Sequence, residues 1–180
     1  MKLSDTFKEL IKESGGYNYG CVMIYLPIEE VTWNRITQII PEDVYEPEGD
    51  RDYGIQPHNE VHVTIIYGLH SDIPDETIDG LVNKMIAPEV TLQNITLFQN
   101  ENFDVVKFDV DGEGLYEMNK MFTELPHTTD YPDYHPHCTI AYVKPGCGKS
   151  YESSLDEPIT IKPHKIVYSK ADGSKKEYKL

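Results

Sequence analysis

Positive charge is scarce in this sequence: 16 lysines and arginines face 31 aspartates and glutamates across 180 residues, a formal charge of −15. Such a chain is poorly suited to tracking long DNA or RNA, because affinity for a polyanion comes mainly from cationic contacts to its backbone. Cysteine is scarce too. Cys21, Cys138 and Cys147 are odd in number and form no Cys-x-x-Cys pair, which argues against a disulfide framework and against a thiolate zinc site. No apolar run approaches 18 residues, so no membrane span is expected. Residues 1–16 carry Lys2 and Lys8 but no apolar signal-peptide core, and the expected location is the cytoplasm.

The charge is also uneven. Residues 1–143 hold 8 cationic side chains against 26 acidic ones, whereas residues 144–180 hold 8 against 5. The tail lysines are either ordinary solvated strand ends or, for Lys144, Lys149, Lys162 and Lys165, a source of positive potential for a small anionic ligand. A chain of this length, 39% hydrophobic, fits one domain over 1–180 with a proper core.

What is present is a duplication. His62-Val63-Thr64-Ile65-Ile66-Tyr67 recurs 75 residues later as His137-Cys138-Thr139-Ile140-Ala141-Tyr142, with four of six positions identical. Both segments alternate and are rich in β-branched residues, so each reads as a strand, over 61–67 and 137–143. His62 and Thr64 share one face, as do His137 and Thr139. Val63, Ile65 and Tyr67, like Cys138, Ile140 and Tyr142, are expected on the core face. Two such strands side by side would converge two imidazoles and two hydroxyls. One imidazole can take a proton from an attacking oxygen while the other gives one to a leaving oxygen. The hydroxyls can hold non-bridging phosphate oxygens as charge grows on them. That is equipment for splitting a phosphodiester, and it needs no metal or other cofactor.

The surrounding pattern predicts helices over 3–13, 29–40, 74–87 and 113–125. Further strands are expected at 19–26, 90–99, 104–111, near 159–169 and at 175–179, with an Asp172-Gly173 hairpin turn before the last. Residues 41–60, with seven acidic side chains, form a long loop before the first motif strand, and 126–136 form another before the second. The order strand, helix, motif strand occurs twice, an internal pseudo-repeat.

The two His-x-Thr strands and this order, over roughly Cys21 to Tyr168, resemble the 2H phosphoesterases. The flanks 61–70 and 134–146 look like that superfamily's phage branch, which contains anti-CBASS enzymes that degrade cyclic oligonucleotide alarm signals. The resemblance implies an α+β fold of two pseudo-symmetric lobes of antiparallel sheet with outer helices and a central cleft. It implies catalysis by His62, Thr64, His137 and Thr139 on 3′–5′ bonds of cyclic di- or trinucleotides, in the host cytoplasm if the gene is phage-borne. A 2′,3′-cyclic phosphodiesterase or a 2′–5′ oligonucleotide hydrolase is the alternative among enzymes, and a non-cutting nucleotide sponge the alternative among binders.

The partner expected is therefore a small nucleotide, without long nucleic acid or membrane. Tyr131 and Tyr134, in the loop feeding His137, and then Tyr25, beside a motif strand, are expected base-stacking platforms. His135 is expected to support His137, and Lys144 to face the substrate. A metal held by Asp133, His135 and His137 is disfavoured, since it would leave the duplicated threonines unexplained. His58 lacks the helical spacing of a zinc pair, and His70, His127 and His164 read as surface or loop residues.

Overall fold

The computed structural model describes residues 19–47, 53–155 and 157–180; the helix expected over 3–13 lies outside them. Among the described residues eight strands form one antiparallel sheet: β1 (Tyr19–Tyr25), β2 (His62–His70), β3 (Val90–Gln99), β4 (Asp104–Asp111), β5 (His137–Val143), β6 (Ile159–Ile161), β7 (Lys165–Ser169) and β8 (Lys175–Lys179). Their order is β6-β3-β4-β5-β2-β1-β7-β8. The fold is α+β, and the sheet divides into two lobes of four strands with a motif strand at the inner edge of each. The lobes join where β2 meets β5, through the pair Val63 and Cys138.

Loops explain why the junction is so narrow. Beyond that pair, residues 43–45 and 54–56 take up the edge of β5: Tyr45 N–H donates to Tyr142 O at 2.9 Å, Gln56 N–H to Ile140 O at 2.9 Å, and Lys144 N–H to Asp43 O at 2.7 Å. On the other side, Thr128 N–H donates to Gly68 O at 2.9 Å and His70 N–H to Pro126 O at 3.1 Å. The loop leading into each motif strand thus pads the edge of the other, which satisfies backbone groups that the diverging strands leave unpaired.

The helices cover the face opposite the motif histidines. α1 (Glu30–Thr37) buries Trp33, α2 (Asp75–Val82) buries Ile78 and Val82, and α3 (Glu113–Thr123) buries Leu115, Met118 and Phe122. The 115, 118, 122 spacing is one stripe of a helix. It packs with Val63, Ile65, Cys138 and Ile140 in one core cluster, where each large apolar side chain contributes about 1.5–3 kcal/mol.

Three boundaries differ from expectation. Helix α2 stops at Val82 because Lys84 and Met85 donate to Leu81 and Val82, three residues back, tightening the last turn into a stop. Helix α1 stops at Thr37, whose hydroxyl turns back to the Trp33 carbonyl at 3.1 Å. The segment 159–169 is two strands, interrupted at Pro163, which has no N–H for a ladder; β6 pairs with β3 and β7 with β1, in different lobes.

Tyr67 and Tyr142 are not core residues. Thr64 pairs with Met23 and Ile66 with Val22, so Ile65 is an extra residue in β2. Thr139 pairs with Lys107 and Ala141 with Val106, so Ile140 is an extra residue in β5. A bulge of this kind reverses the alternation beyond it. Tyr67 consequently emerges 45% exposed, and Tyr142 is half-buried against Tyr53 and Phe103. The bulge falls at the same place in both copies of the motif.

Candidate active site

The antiparallel register through Val63 and Cys138 sets His62 alongside Thr139 and Thr64 alongside His137. Cross-strand neighbours of this kind lie about 4.5–5.5 Å apart at Cβ. All four side chains are half-buried, while Val63 and Cys138 between them point to the core. The result is a square with imidazoles on one diagonal and hydroxyls on the other, around a pseudo-two-fold axis. Among the described residues neither threonine hydroxyl is engaged by another protein group.

The histidines are held alike. His62 Nδ1 lies 2.7 Å from the Glu60 carbonyl oxygen, and His137 Nδ1 lies 2.9 Å from that of His135. A carbonyl can only accept, so Nδ1 carries the proton in each ring and Nε2 carries the lone pair. Burial lowers both imidazoles below the ordinary histidine value, because it penalises the charged ring. For His62 the carbonyl bond and Glu60 oppose that shift; for His137 the carbonyl bond and Asp109 oppose it, while Lys107 and His62 add to it. Both rings are therefore poised as neutral bases in the absence of an anion.

Behind each imidazole stands an aromatic ring carrying a lysine. Tyr25 lies opposite His62 in the ladder and stacks on it at 5.5 Å, and Lys165 Nζ lies 4.8 Å from the Tyr25 ring and 2.8 Å from Glu177 Oε1. Phe98 meets His137 edge-on at 5.0 Å, and Lys107 Nζ lies 4.3 Å from the Phe98 ring. Tyr25 is only 5% exposed, so its ring is a backing for His62. Phe98 is 42% exposed and lines an open pocket of about 380 Å³ with Lys107, Asp109, Tyr116 and His135. Phe98, Lys107 and Asp109 were not singled out from the sequence. The available signal was a lysine and an aspartate at one parity inside the apolar strand β4.

The other expected residues have mixed fates. Tyr134 donates its hydroxyl to the Thr64 carbonyl at 2.9 Å and packs edge-on against Tyr116, a strut between loop and motif strand. Burial pushes that hydroxyl well above the ordinary tyrosine range. Tyr131 is 73% exposed. His135 supports His137 through its backbone carbonyl, and its imidazole is exposed. Lys144 sits past the far end of β5 from His137 and donates to the Glu42 carbonyl at 2.9 Å, so the structure does not bring it to the imidazoles. Lys149 pairs with Glu152. Of Lys144, Lys149, Lys162 and Lys165, Lys165 is the one placed beside a motif histidine's backing ring. His70, His127 and His164 each bond a neighbouring group: Thr128, the Leu125 carbonyl and the Tyr25 carbonyl. Among the described residues no three His, Cys, Asp or Glu side chains cluster as metal ligands, and no helix is long and apolar enough to cross a membrane.

No curated protein matches this chain. Among solved structures, Usb1 of Kluyveromyces marxianus is 9% identical with a TM-score of 0.56, over 91% of this chain and 98% of that one. TT0787 of Thermus thermophilus is 15% identical with a TM-score of 0.54, over 89% and 94%. LigT of E. coli, solved with 3′-AMP, is 14% identical with a TM-score of 0.51, over 90% and 95%. At these identities the likeness establishes the fold. Residues 54–172 match the family model described as Anti-CBASS protein Acb1, a span that contains both His-x-Thr strands. That span is about two thirds of the chain, which therefore belongs to the anti-CBASS Acb1 family and is a phosphodiesterase of the 2H type.

Proposed function

We propose that the chain hydrolyses cyclic di- and trinucleotides at 3′–5′ bonds without a metal ion. The observation that carries the chemistry is the matched pair of imidazoles on one face, each with Nδ1 tied to a backbone carbonyl, which leaves Nε2 with the lone pair. One Nε2 accepts the proton of a ribose 2′-hydroxyl as its oxygen bonds to phosphorus. The other histidine, protonated, gives its proton to the departing 5′-oxygen as the P–O5′ bond breaks. The products are a 2′,3′-cyclic phosphate and a free 5′-hydroxyl. Water opens the cyclic phosphate with the two histidines in exchanged roles, a use that the near-equivalence of the two sites supports. Thr64 and Thr139 donate to the non-bridging oxygens.

The family's anti-CBASS description and the charge of −15 support a compact cyclic ligand over a polymer. The test is incubation of the purified protein, with excess EDTA, against cyclic di- and trinucleotides, 2′–5′ oligonucleotides and 2′,3′-cyclic nucleotides, with products resolved by chromatography. Opening of the 3′–5′ cyclic ligands is expected. Consumption of the 2′–5′ or 2′,3′-cyclic compounds alone favours those rival activities, and binding without cutting favours a sponge. Loss of turnover with the chelator overturns metal independence.

A further inference from the structure

Lys107 is the one basic residue among the buried ones described, 5% exposed, and it sits on the catalytic face directly opposite Thr139. Nothing in the two-histidine scheme uses it. Its Nζ donates to Thr96 Oγ1 at 2.7 Å and to Asp109 Oδ1 at 2.6 Å, and the Thr96 hydroxyl donates to the same Asp109 oxygen at 2.7 Å. Asp109 in turn lies directly opposite His137. Burial alone would raise the Asp109 carboxyl, but the bonds from Lys107 and Thr96 outweigh it and hold the group below its ordinary value. An ammonium has three N–H donors, and among the described residues only two of these have protein acceptors. A lysine buried at a desolvation cost for a purely structural role, paired with a carboxylate that is itself 44% exposed, needs no spare donor beside a reaction centre.

We propose that Lys107 is a catalytic residue whose third N–H binds a non-bridging oxygen of the scissile phosphate on the Thr139 side, with Asp109 and Thr96 holding the ammonium in place. This rests on the phosphodiesterase reading and supplies what that reading lacks, a cation at the phosphate in a chain of net charge −15. It also gives the pair a second effect. The charged and titratable groups acting on His137 are Lys107 and Asp109 on β4 and His62 on β2. The lysine resists protonation of His137, and the aspartate favours it.

Lys107→Met and Asp109→Asn break the same ion pair, so a merely structural role predicts equivalent damage from both. The two charges act oppositely on His137, so opposite shifts in the pH profile of kcat/KM are expected, and the catalytic role adds a loss of kcat and of stereochemical discrimination on removing the ammonium. Lys107→Met moves it to higher pH and lowers kcat at least ~10²-fold, the scale of a lost oxyanion donor; Asp109→Asn moves it to lower pH. Lys107→Arg recovers part of the rate. A phosphorothioate cyclic dinucleotide adds a stereochemical readout: the wild type discriminates between the two diastereomers, and Lys107→Met loses that discrimination. Circular dichroism at the assay temperature confirms that the variants compared are folded, and if Lys107→Met is not, the diastereomer comparison is made with Lys107→Gln. Unchanged kcat, or pH shifts of the same sign, with normal wild-type turnover overturns the role of Lys107 alone. Absence of wild-type turnover on every diester overturns the phosphodiesterase reading first.

Discussion

Gly68→Ala tests how strongly the loop before β5 controls the site. Gly68 has φ +96°, and a Cβ there would lie 1.8 Å from the Thr128 carbonyl oxygen. Left-handed backbone costs a non-glycine residue about 1–2 kcal/mol. Ordinary contact needs more than 3 Å, so the Thr128 backbone must retreat by over an ångström, straining the Thr128-to-Gly68 and His70-to-Pro126 bonds, each worth about 1 kcal/mol net. The sum is about 3–4 kcal/mol, or roughly 6–16 °C in Tm for a chain of this size. The displaced loop also carries the Tyr134 strut to Thr64 and the His135 carbonyl that fixes the His137 tautomer. A misplacement of about 1 Å at a reacting group costs on the order of 10²-fold, so turnover should fall even where the protein is folded. Gly173→Ala is the control: φ is +87° and no atom lies within 4 Å of its added Cβ, leaving only the conformational cost. Thermal melts and single-turnover rates on the three proteins decide the matter. Equal melting temperatures for the two variants, with normal turnover in Gly68→Ala, refute the reasoning.

The remaining predictions concern the imidazoles and hydroxyls directly. His62→Ala and His137→Ala should each lower kcat at least ~10²-fold while keeping a wild-type circular dichroism spectrum, and near-normal turnover in either would sink the paired mechanism. Thr64→Val and Thr139→Val should lose about 10–10³-fold in kcat with little change in fold. Both imidazoles titrate below the ordinary histidine value, so the form with one proton shared by the pair is most populated below about pH 6.5. The kcat/KM profile should therefore peak on that side and decline toward pH 8. A bound phosphodiester favours the protonated ring, so the kcat profile should lie at higher pH; a kcat/KM maximum at pH 7.5 or above contradicts the assignment.

The square of two imidazoles and two hydroxyls is legible in the sequence because His-x-Thr is a local pattern, and strand alternation alone puts both side chains on one face. The environment of that square depends on contacts between distant segments. Tyr67 and Tyr142 leave the core because Ile65 and Ile140 are bulged, and a bulge is defined by the register of the partner strand. Phe98 reaches His137 from β3, two strands away, which no spacing rule anticipates. The long loops were visible as loops. That each one pads the edge of the other motif strand follows only from the narrow β2–β5 junction. Tyr134 shows the same limit: a tyrosine in a loop reads as a stacking platform until its hydroxyl is seen to brace Thr64.

A net charge of −15 is compatible with the proposed binding of phosphate because the two act over different distances. Much of the basic tail is already committed: Lys170 pairs with Asp75, Lys176 with Asp79 and Lys149 with Glu152. Those pairs tie the C-terminal hairpin to α2 or lie in surface turns, leaving the acidic surface largely unbalanced. At physiological salt, however, exposed charges are screened beyond about 8 Å, whereas a buried ammonium is screened much less. At an effective dielectric of about 20, unit charges 4 Å apart attract by about 4 kcal/mol. Lys107 is itself paired with Asp109, so a small ligand that meets only the square and this lysine gains less than that, the pull of an oriented ion pair with one unused N–H. A long strand must run across the surrounding carboxylates, and each further phosphate adds repulsion without a matching cation. On the proposed reading, discrimination against polymeric RNA then follows from where the cations lie, with no need for a steric gate.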